Sequence, residues 1–182
     1  MSRREDLAER STDYALDHGL IGLSLRPLAA ELDTSDRMLI YHVGTKDALV
    51  ASVLATSNGR SVQTIRALEP SISLRDAVLD LWKASTSPAM QRCQRIYVEA
   101  AALGLFGREP YASSVRESNA LWLGAMTDHL RASGADEARA PRLAVLADAT
   151  FNGLLLDNPL DDVADAQRTV DDLAQALADL AA

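Results

Sequence analysis

The chain has 182 residues, 18 of them Lys or Arg and 26 Asp or Glu, for a net charge of −8. Apolar side chains make up 48%, with a single cysteine, Cys93, which excludes a disulfide framework and a cysteine-based metal site. The length supports one sizeable core, or a small head with a larger body, and the acidic balance excludes a globally basic nucleic-acid coat. Charged residues (Arg3, Arg4, Glu5, Asp6) open the chain in place of a signal peptide, and no 18-residue apolar run is available to span a bilayer. A cytoplasmic protein with no membrane partner is therefore expected. Only nine Gly and six Pro interrupt an Ala- and Leu-rich sequence, and strand-type alternation is nowhere sustained, so the expected class is all-α with about nine helices.

Ser2-Arg3-Arg4-Glu5 reads as a capping box that starts a helix at Arg3. Its stripe is Leu7, Ser11, Tyr14, Ala15 and His18, and Gly19 ends it, with His18 at the negative end of the helix dipole. Ser24 caps a second helix with apolar residues at Leu25, Leu28, Ala29 and Leu32; Asp33 and Thr34 make a turn; Ser35 caps a third helix that runs to about Val43. Two short helices across a tight turn form the helix-turn-helix shape that places its second helix in a DNA major groove.

At about 100° per residue, Leu39 and Val43 share one face of that second helix, and Arg37 and Tyr41 lie roughly opposite Leu39. Arg can fork onto guanine and Tyr can hydrogen-bond a phosphate; the alternative is that both decorate a solvated face. Residues 1–47 hold six basic and nine acidic side chains, a balance of −3. Any DNA footprint is thus a local patch of Arg3, Arg4, Arg26, Arg37 and Lys46 with His42 nearby, which implies a shallow salt dependence.

The stretch from Gly22 to Leu49 resembles the DNA-binding head of TetR-family transcriptional regulators. The matching residues are Gly22, Ser24, Arg26, Leu28, Ala29, Ser35, Leu39, His42, Val43, Lys46, Asp47 and Leu49. Two positions depart from the pattern: Ile40 stands where the family usually has Tyr, with Tyr41 next to it, and Asp33 replaces the usual turn Gly. The resemblance implies a helix-turn-helix DNA-binding domain over residues 1–46 and a ligand-binding and dimerisation domain over 47–182. It implies a double-stranded DNA operator as partner, with Arg26, Ser35, Arg37, Ile40, Tyr41, His42 and Lys46 as DNA-binding residues.

Thr45 caps a fourth helix from Lys46, with apolar positions Leu49, Val53, Thr56, Val62 and Ile65. Asn58-Gly59 is expected to weaken it, and Pro70 to end it by about Glu69. Ser73 caps the next helix, with Leu74, Ala77, Val78, Leu81 and Trp82 on one face; Pro88 starts another carrying Cys93, Ile96, Tyr97, Ala100 and Leu103. Pro110 starts a third with Tyr111, Val115, Ser118, Trp122, Ala125, Met126 and His129, ending near Ser133-Gly134. These three are expected to share one core. Trp82, Met90, Cys93, Tyr97, Trp122, Met126 and His129 are candidates for an apolar effector pocket, although residues of these types are more often ordinary core.

The last two helices are expected over 136–156 and, after Asp157-Asn158-Pro159, along Val163, Ala166, Val170, Leu173, Ala174, Leu177 and Leu180. The resemblance implies a homodimer through these two, with Leu143, Leu146, Ala147, Phe151, Leu154, Val170, Leu173 and Leu177 as interface residues; the alternative is that they finish the core of one protomer. His18, His42 and His129 are scattered, and no phosphate loop, His-Glu-x-x-His or Gly-x-Ser-x-Gly occurs, so no enzyme, cofactor or metal is expected. Glu99, alone in an apolar helix, is a candidate buried acid without a mechanism. The expected function is a ligand-responsive regulator, a repressor released from a near-palindromic operator by a small apolar effector. A helical small-molecule-binding or scaffold protein without DNA binding is the alternative.

Overall fold

The computed structural model describes residues 3–161 and 165–181. The described residues form nine α-helices and no strand: α1 (Arg3–His18), α2 (Leu25–Glu31), α3 (Asp36–Val43), α4 (Lys46–Arg66), α5 (Leu74–Ser85), α6 (Pro88–Leu105), α7 (Tyr111–Ala132), α8 (Ala140–Asp161) and α9 (Ala166–Ala181). The expected cap at Ser2 and the apolar position Val163 lie outside the described residues.

The helix starts follow their capping residues. Ser35 Oγ accepts from the Met38 amide at 3.2 Å, Thr45 Oγ1 from Ala48 at 3.0 Å, and Ser73 Oγ from Asp76 at 3.1 Å, each satisfying an amide that the first turn leaves open. Ser24 holds the N-cap position of α2 in extended conformation but makes no side-chain cap bond. Asp33 has φ +52°, the one described non-glycine residue in the left-handed region, so the turn between α2 and α3 keeps the conformation that a glycine would ordinarily supply.

The chain divides into two compact units. The first is Met1–Ser61 with Arg92–Asn119, and the second is Val62–Gln91 with Ala120–Ala182. The expected boundary after residue 46 therefore falls inside the first unit, whose core draws on α4 and α6 as well as α1–α3. Leu7, Leu16, Leu28, Leu39, Leu49 and Ile96 are among its buried members. In the second unit, α5 packs along α9, and Val78, Leu81, Met126, Leu143, Phe151 and Leu177 sit in one core.

Four expectations change. First, α4 does not weaken at Asn58-Gly59, and it ends at Arg66. Ser57, Ser61 and Val62 are buried there and Arg60 is held by two carboxylates, so tertiary contacts override the roughly 1 kcal/mol that a mid-helix glycine costs. Second, α5, α6 and α7 do not share one core. Ile96 and Ala100 of α6 belong to the first unit's core, whereas α5 and the end of α7 pack with α8 and α9. Third, α8 begins at Ala140 rather than near Asp136, whose carboxylate instead accepts from the Ala138 and Arg139 amides in a turn. Fourth, α8 continues through Pro159 to Asp161. A proline so near the C-terminal end removes only one ladder bond, and Pro159 and Leu160 are themselves exposed.

Because the left-handed region costs an L-residue about 1–2 kcal/mol and glycine enters it freely, part of that cost returning through glycine's unfolded-state entropy, Asp33→Gly is expected to stabilise the fold by up to about 1 kcal/mol. Asp33→Val is expected to destabilise it. Urea midpoints of the two variants against the parent check this. The Arg10–Asp33 pair, at 4.0 Å and largely solvated, contributes little to the balance.

Candidate nucleic-acid interface

The α2-turn-α3 segment buries one face and leaves the other open. Leu28, Leu32, Leu39 and Val43 are buried in the first unit's core. Arg37 is exposed and Tyr41 is 77% exposed, the two residues lying on the face away from Leu39. Arg26, the second residue of α2, and Lys46, the first of α4, are exposed too. Among the described residues no ion pair engages Arg26, Arg37 or Lys46. The α4 N-terminus adds its open amides and positive dipole end beside the Lys46 ammonium.

The remaining expected contacts divide. His42 is half-buried in the last turn of α3, its ring edge-on to Tyr41 at 5.1 Å. Ser35 is exposed, and its hydroxyl accepts from the Met38 amide. Ile40 is partly buried and packs against the core, because it lies only one position from Leu39 on a helix whose inward face is fixed by Leu39 and Val43. It is therefore placed as a packing residue, and the neighbouring Tyr41 carries the exposed hydroxyl.

Three acidic residues of α1 have cationic partners from outside the N-terminal segment. Glu9, Asp13 and Asp17 recur every fourth residue on α1 and form one stripe. Arg60 of α4 pairs with Glu9 and, at 2.7 Å, with Asp13; Arg92 of α6 pairs with Asp17. Burial works against the Arg60 charge, but hydrogen bonds and charge from Glu9 and Asp13 outweigh it and hold its pKa above the usual value. The sequence balance of −3 overstates the negative field of the segment, since two cations from outside it, Arg60 and Arg92, pair with these three carboxylates and leave one charge uncompensated. The i, i+4, i+8 spacing of acids was the signal for this clamp.

The effector-pocket candidates fall on both sides of the unit division. Cys93 packs on the first unit's core, and Tyr97 is half-buried in the same unit. Trp82, Met90, Met126 and His129 are buried in the second unit, and Trp122 is half-buried there. The Trp82 ring lies 5.2 Å from that of Phe151. His129 Nε2 is buried without a hydrogen-bond partner, and burial pushes the imidazole pKa down against the opposing field of Asp80. Asp148, absent from the sequence-level candidates, accepts from Trp122 Nε1 at 2.8 Å. Burial pushes its pKa up, and hydrogen bonds from Trp122 and Asn152 pull the other way. A single acid in the otherwise apolar run 143–156 was its signal.

The expected dimer residues are mostly interior. Leu143, Ala147, Phe151, Leu154, Val170 and Leu177 are buried within the protomer and so have no surface to offer a partner. Leu146 keeps 36% exposure, and Leu173 is partly buried against the core. The apolar surface that α8 and α9 do present is Val145, Leu146, Leu156 and Leu160 on α8, with Leu180 on α9.

A helix-turn-helix unit followed by a helical body is the fold of solved TetR-family transcription regulators. The chain matches a transcriptional regulator from Rhodococcus sp. Rha1 with TM-score 0.76 at 21% identity, over 99% of this chain and 96% of that one. It matches a TetR transcription regulator from Haloarcula marismortui with TM-score 0.72 at 17% identity, over 98% and 97%. The multidrug binding protein EbrR, complexed with imidazole, matches with TM-score 0.68 at 21% identity, over 98% and 96%. No family model and no curated protein matches the sequence. No single described helix is long and apolar enough to cross a membrane.

The raised pKa of Asp148 has a consequence for stability. Its protonated form is favoured in the folded chain, so its contribution is fully present below the ordinary carboxylate value and is lost as pH rises through the raised one. Asp148→Asn keeps an acceptor for Trp122 without the buried charge. It is expected to be more stable than the parent at pH 7.5, with the advantage shrinking toward pH 4, as read from urea midpoints at the two pH values.

Proposed function

We propose that this chain is a TetR-family transcriptional regulator that acts in the cytoplasm as a homodimer on double-stranded DNA. The observation that carries the reading is the exposed Arg37/Tyr41 face of α3, held outward by the fully buried Leu39. Arg37 and Arg26 read base edges, while Tyr41, His42 and Lys46 hold phosphates. Two copies of α3 enter successive major grooves of a near-palindromic operator, about 34–36 Å apart. The regulator is a repressor, and a small apolar effector releases it by binding the form that does not fit DNA, since a ligand shifts an equilibrium only through differential affinity. Trp82, Trp122 and His129 are the body residues proposed to meet the effector. The protein is not an enzyme.

The test is selection of duplexes from a random pool by the purified protein, followed by affinity measurement on the enriched sequence. Arg37→Ala is expected to weaken that binding by about 1–3 kcal/mol and to relax preference at the contacted base pair. Lys46→Ala is expected to weaken all sequences alike and to reduce the slope of log K against log salt by about 0.9. An unchanged sequence preference in Arg37→Ala would remove that residue from the reading.

The dimer is proposed to form through the outward faces of α8 and α9. Val145→Glu combined with Leu156→Glu is expected to give a monomer by sedimentation that keeps the parent's helical circular-dichroism spectrum, because both side chains are exposed in the protomer, and to lose the concentration dependence that association gives the parent's urea midpoint. A double variant that sediments as the parent does would move the interface elsewhere.

A further inference from the structure

Between α1 and α2 the chain turns at Gly19, whose φ of +84° is open to glycine and costly for other residues. The next two amides, of Leu20 and Ile21, both donate to one oxygen of a side chain far away in sequence: Glu99 Oε2 on α6, at 2.7 and 2.5 Å. Successive amides after a left-handed residue make a concave cradle for an anion. Here the anion is supplied by the chain itself. The fit is close, because a Cβ on Gly19 would lie 2.7 Å from Glu99 Oε1. Two helical turns earlier on α6, Arg92 pairs with Asp17 in the last turn of α1. One face of α6 thus presents a cation to the end of α1 and an anion to the loop that follows it.

This loop leads directly to α2, the first helix of the helix-turn-helix. Leu20 and Leu23 are buried in the same core as Leu28 and Leu39, so the loop's position and that of α2 are set together. We infer that Glu99 is a positioning residue for DNA recognition. Its carboxylate fastens the loop between α1 and α2, and with the fastening absent the α2–α3 pair spends most of its time out of groove-reading alignment. The inference rests on the DNA-binding reading above. It assigns to α6, outside the trihelical head in sequence, a direct part in operator affinity.

Reach and charge are separable at this position. Glu99→Gln keeps the reach and an acceptor oxygen that can take both amides. Glu99→Asp keeps the charge but is one methylene too short. Gly19→Ala places a methyl group against the carboxylate. Two measurements on the full-length chain decide: hydrogen exchange at the Leu20 and Ile21 amides, and affinity for the duplex enriched by the parent. Circular dichroism and sedimentation check that each variant is folded and assembled.

Glu99→Asp and Gly19→Ala are expected to speed exchange at both amides and to weaken operator binding about tenfold, because only the aligned fraction binds. Glu99→Gln is expected to stay within about threefold of the parent, a neutral acceptor being weaker than a charged one but correctly placed. Glu99→Asp and Gly19→Ala variants that bind like the parent overturn the inference, as does a Glu99→Gln variant that loses as much affinity as Glu99→Asp. If Glu99→Asp does not fold, the Gly19→Ala and Glu99→Gln pair makes the same decision. A parent protein that enriches no duplex overturns the DNA-binding reading and this inference with it. That failure is distinguishable, because the fastening would still show in the exchange data.

Discussion

Leu39 has no exposed surface, and the outward direction of Arg37 and Tyr41 on α3 follows from that one burial. A helix of eight residues has room for one inward face. With Leu39 and Val43 packed on Leu28 and Leu32, residues about half a turn away must point outward. Arg37 and Tyr41 occupy those positions. Truncating a buried leucine costs about 2–5 kcal/mol, more than an exposed Arg or Tyr contributes to folding, so packing fixes the orientation and the exposed side chains are free to vary with the target. The same constraint accounts for Ile40. One position round the helix from Leu39, it is drawn against the core, and the exposed hydroxyl passes to Tyr41.

The net charge of the chain is a poor guide to the field at α3. An acidic protein approaching DNA is opposed by its own charge unless the acids lie away from the contact or are paired. The second condition holds for Glu9, Asp13 and Asp17, which share one stripe of α1 and meet Arg60 and Arg92 from α4 and α6. These pairs are partly exposed and their contribution to stability is small. Their larger effect is on placement: together with Glu99 they tie α1 and the loop after it to two helices outside the trihelical head.

What could be read from sequence was what local chemistry decides. Ser35, Thr45 and Ser73 cap helices where their type and spacing indicate, Gly19 and Asp33 take the left-handed positions, and Leu39 and Val43 face inward. What could not be read was decided by partners distant in sequence. Asn58-Gly59 looks like a break, yet Arg60 and the buried Ser57, Ser61 and Val62 hold α4 straight through it. Cys93, Ile96, Tyr97 and Ala100 have the spacing of a bundle helix, but the periodicity of α6 does not say whose core it enters. Glu99 looked like an isolated acid because its acceptor role depends on two backbone amides, which leave no trace in side-chain patterns.

Helix α8 shows the same limit at the proposed dimer contact. It is apolar around most of its circumference, so periodicity alone cannot choose its inward side. Packing chooses: Leu143, Ala147, Phe151 and Leu154 turn into the protomer, and Val145, Leu146, Leu156 and Leu160 are left outside. A helix that is apolar on both sides is costly to leave half in water, and exposed apolar surface of this kind is what the proposed dimer contact covers. Ala149 and Gly153 are exposed too, and they continue the outward stripe between Val145 and Leu156 at spacings of four, four and three residues. A second copy of the same pair of helices supplies a surface of matching character.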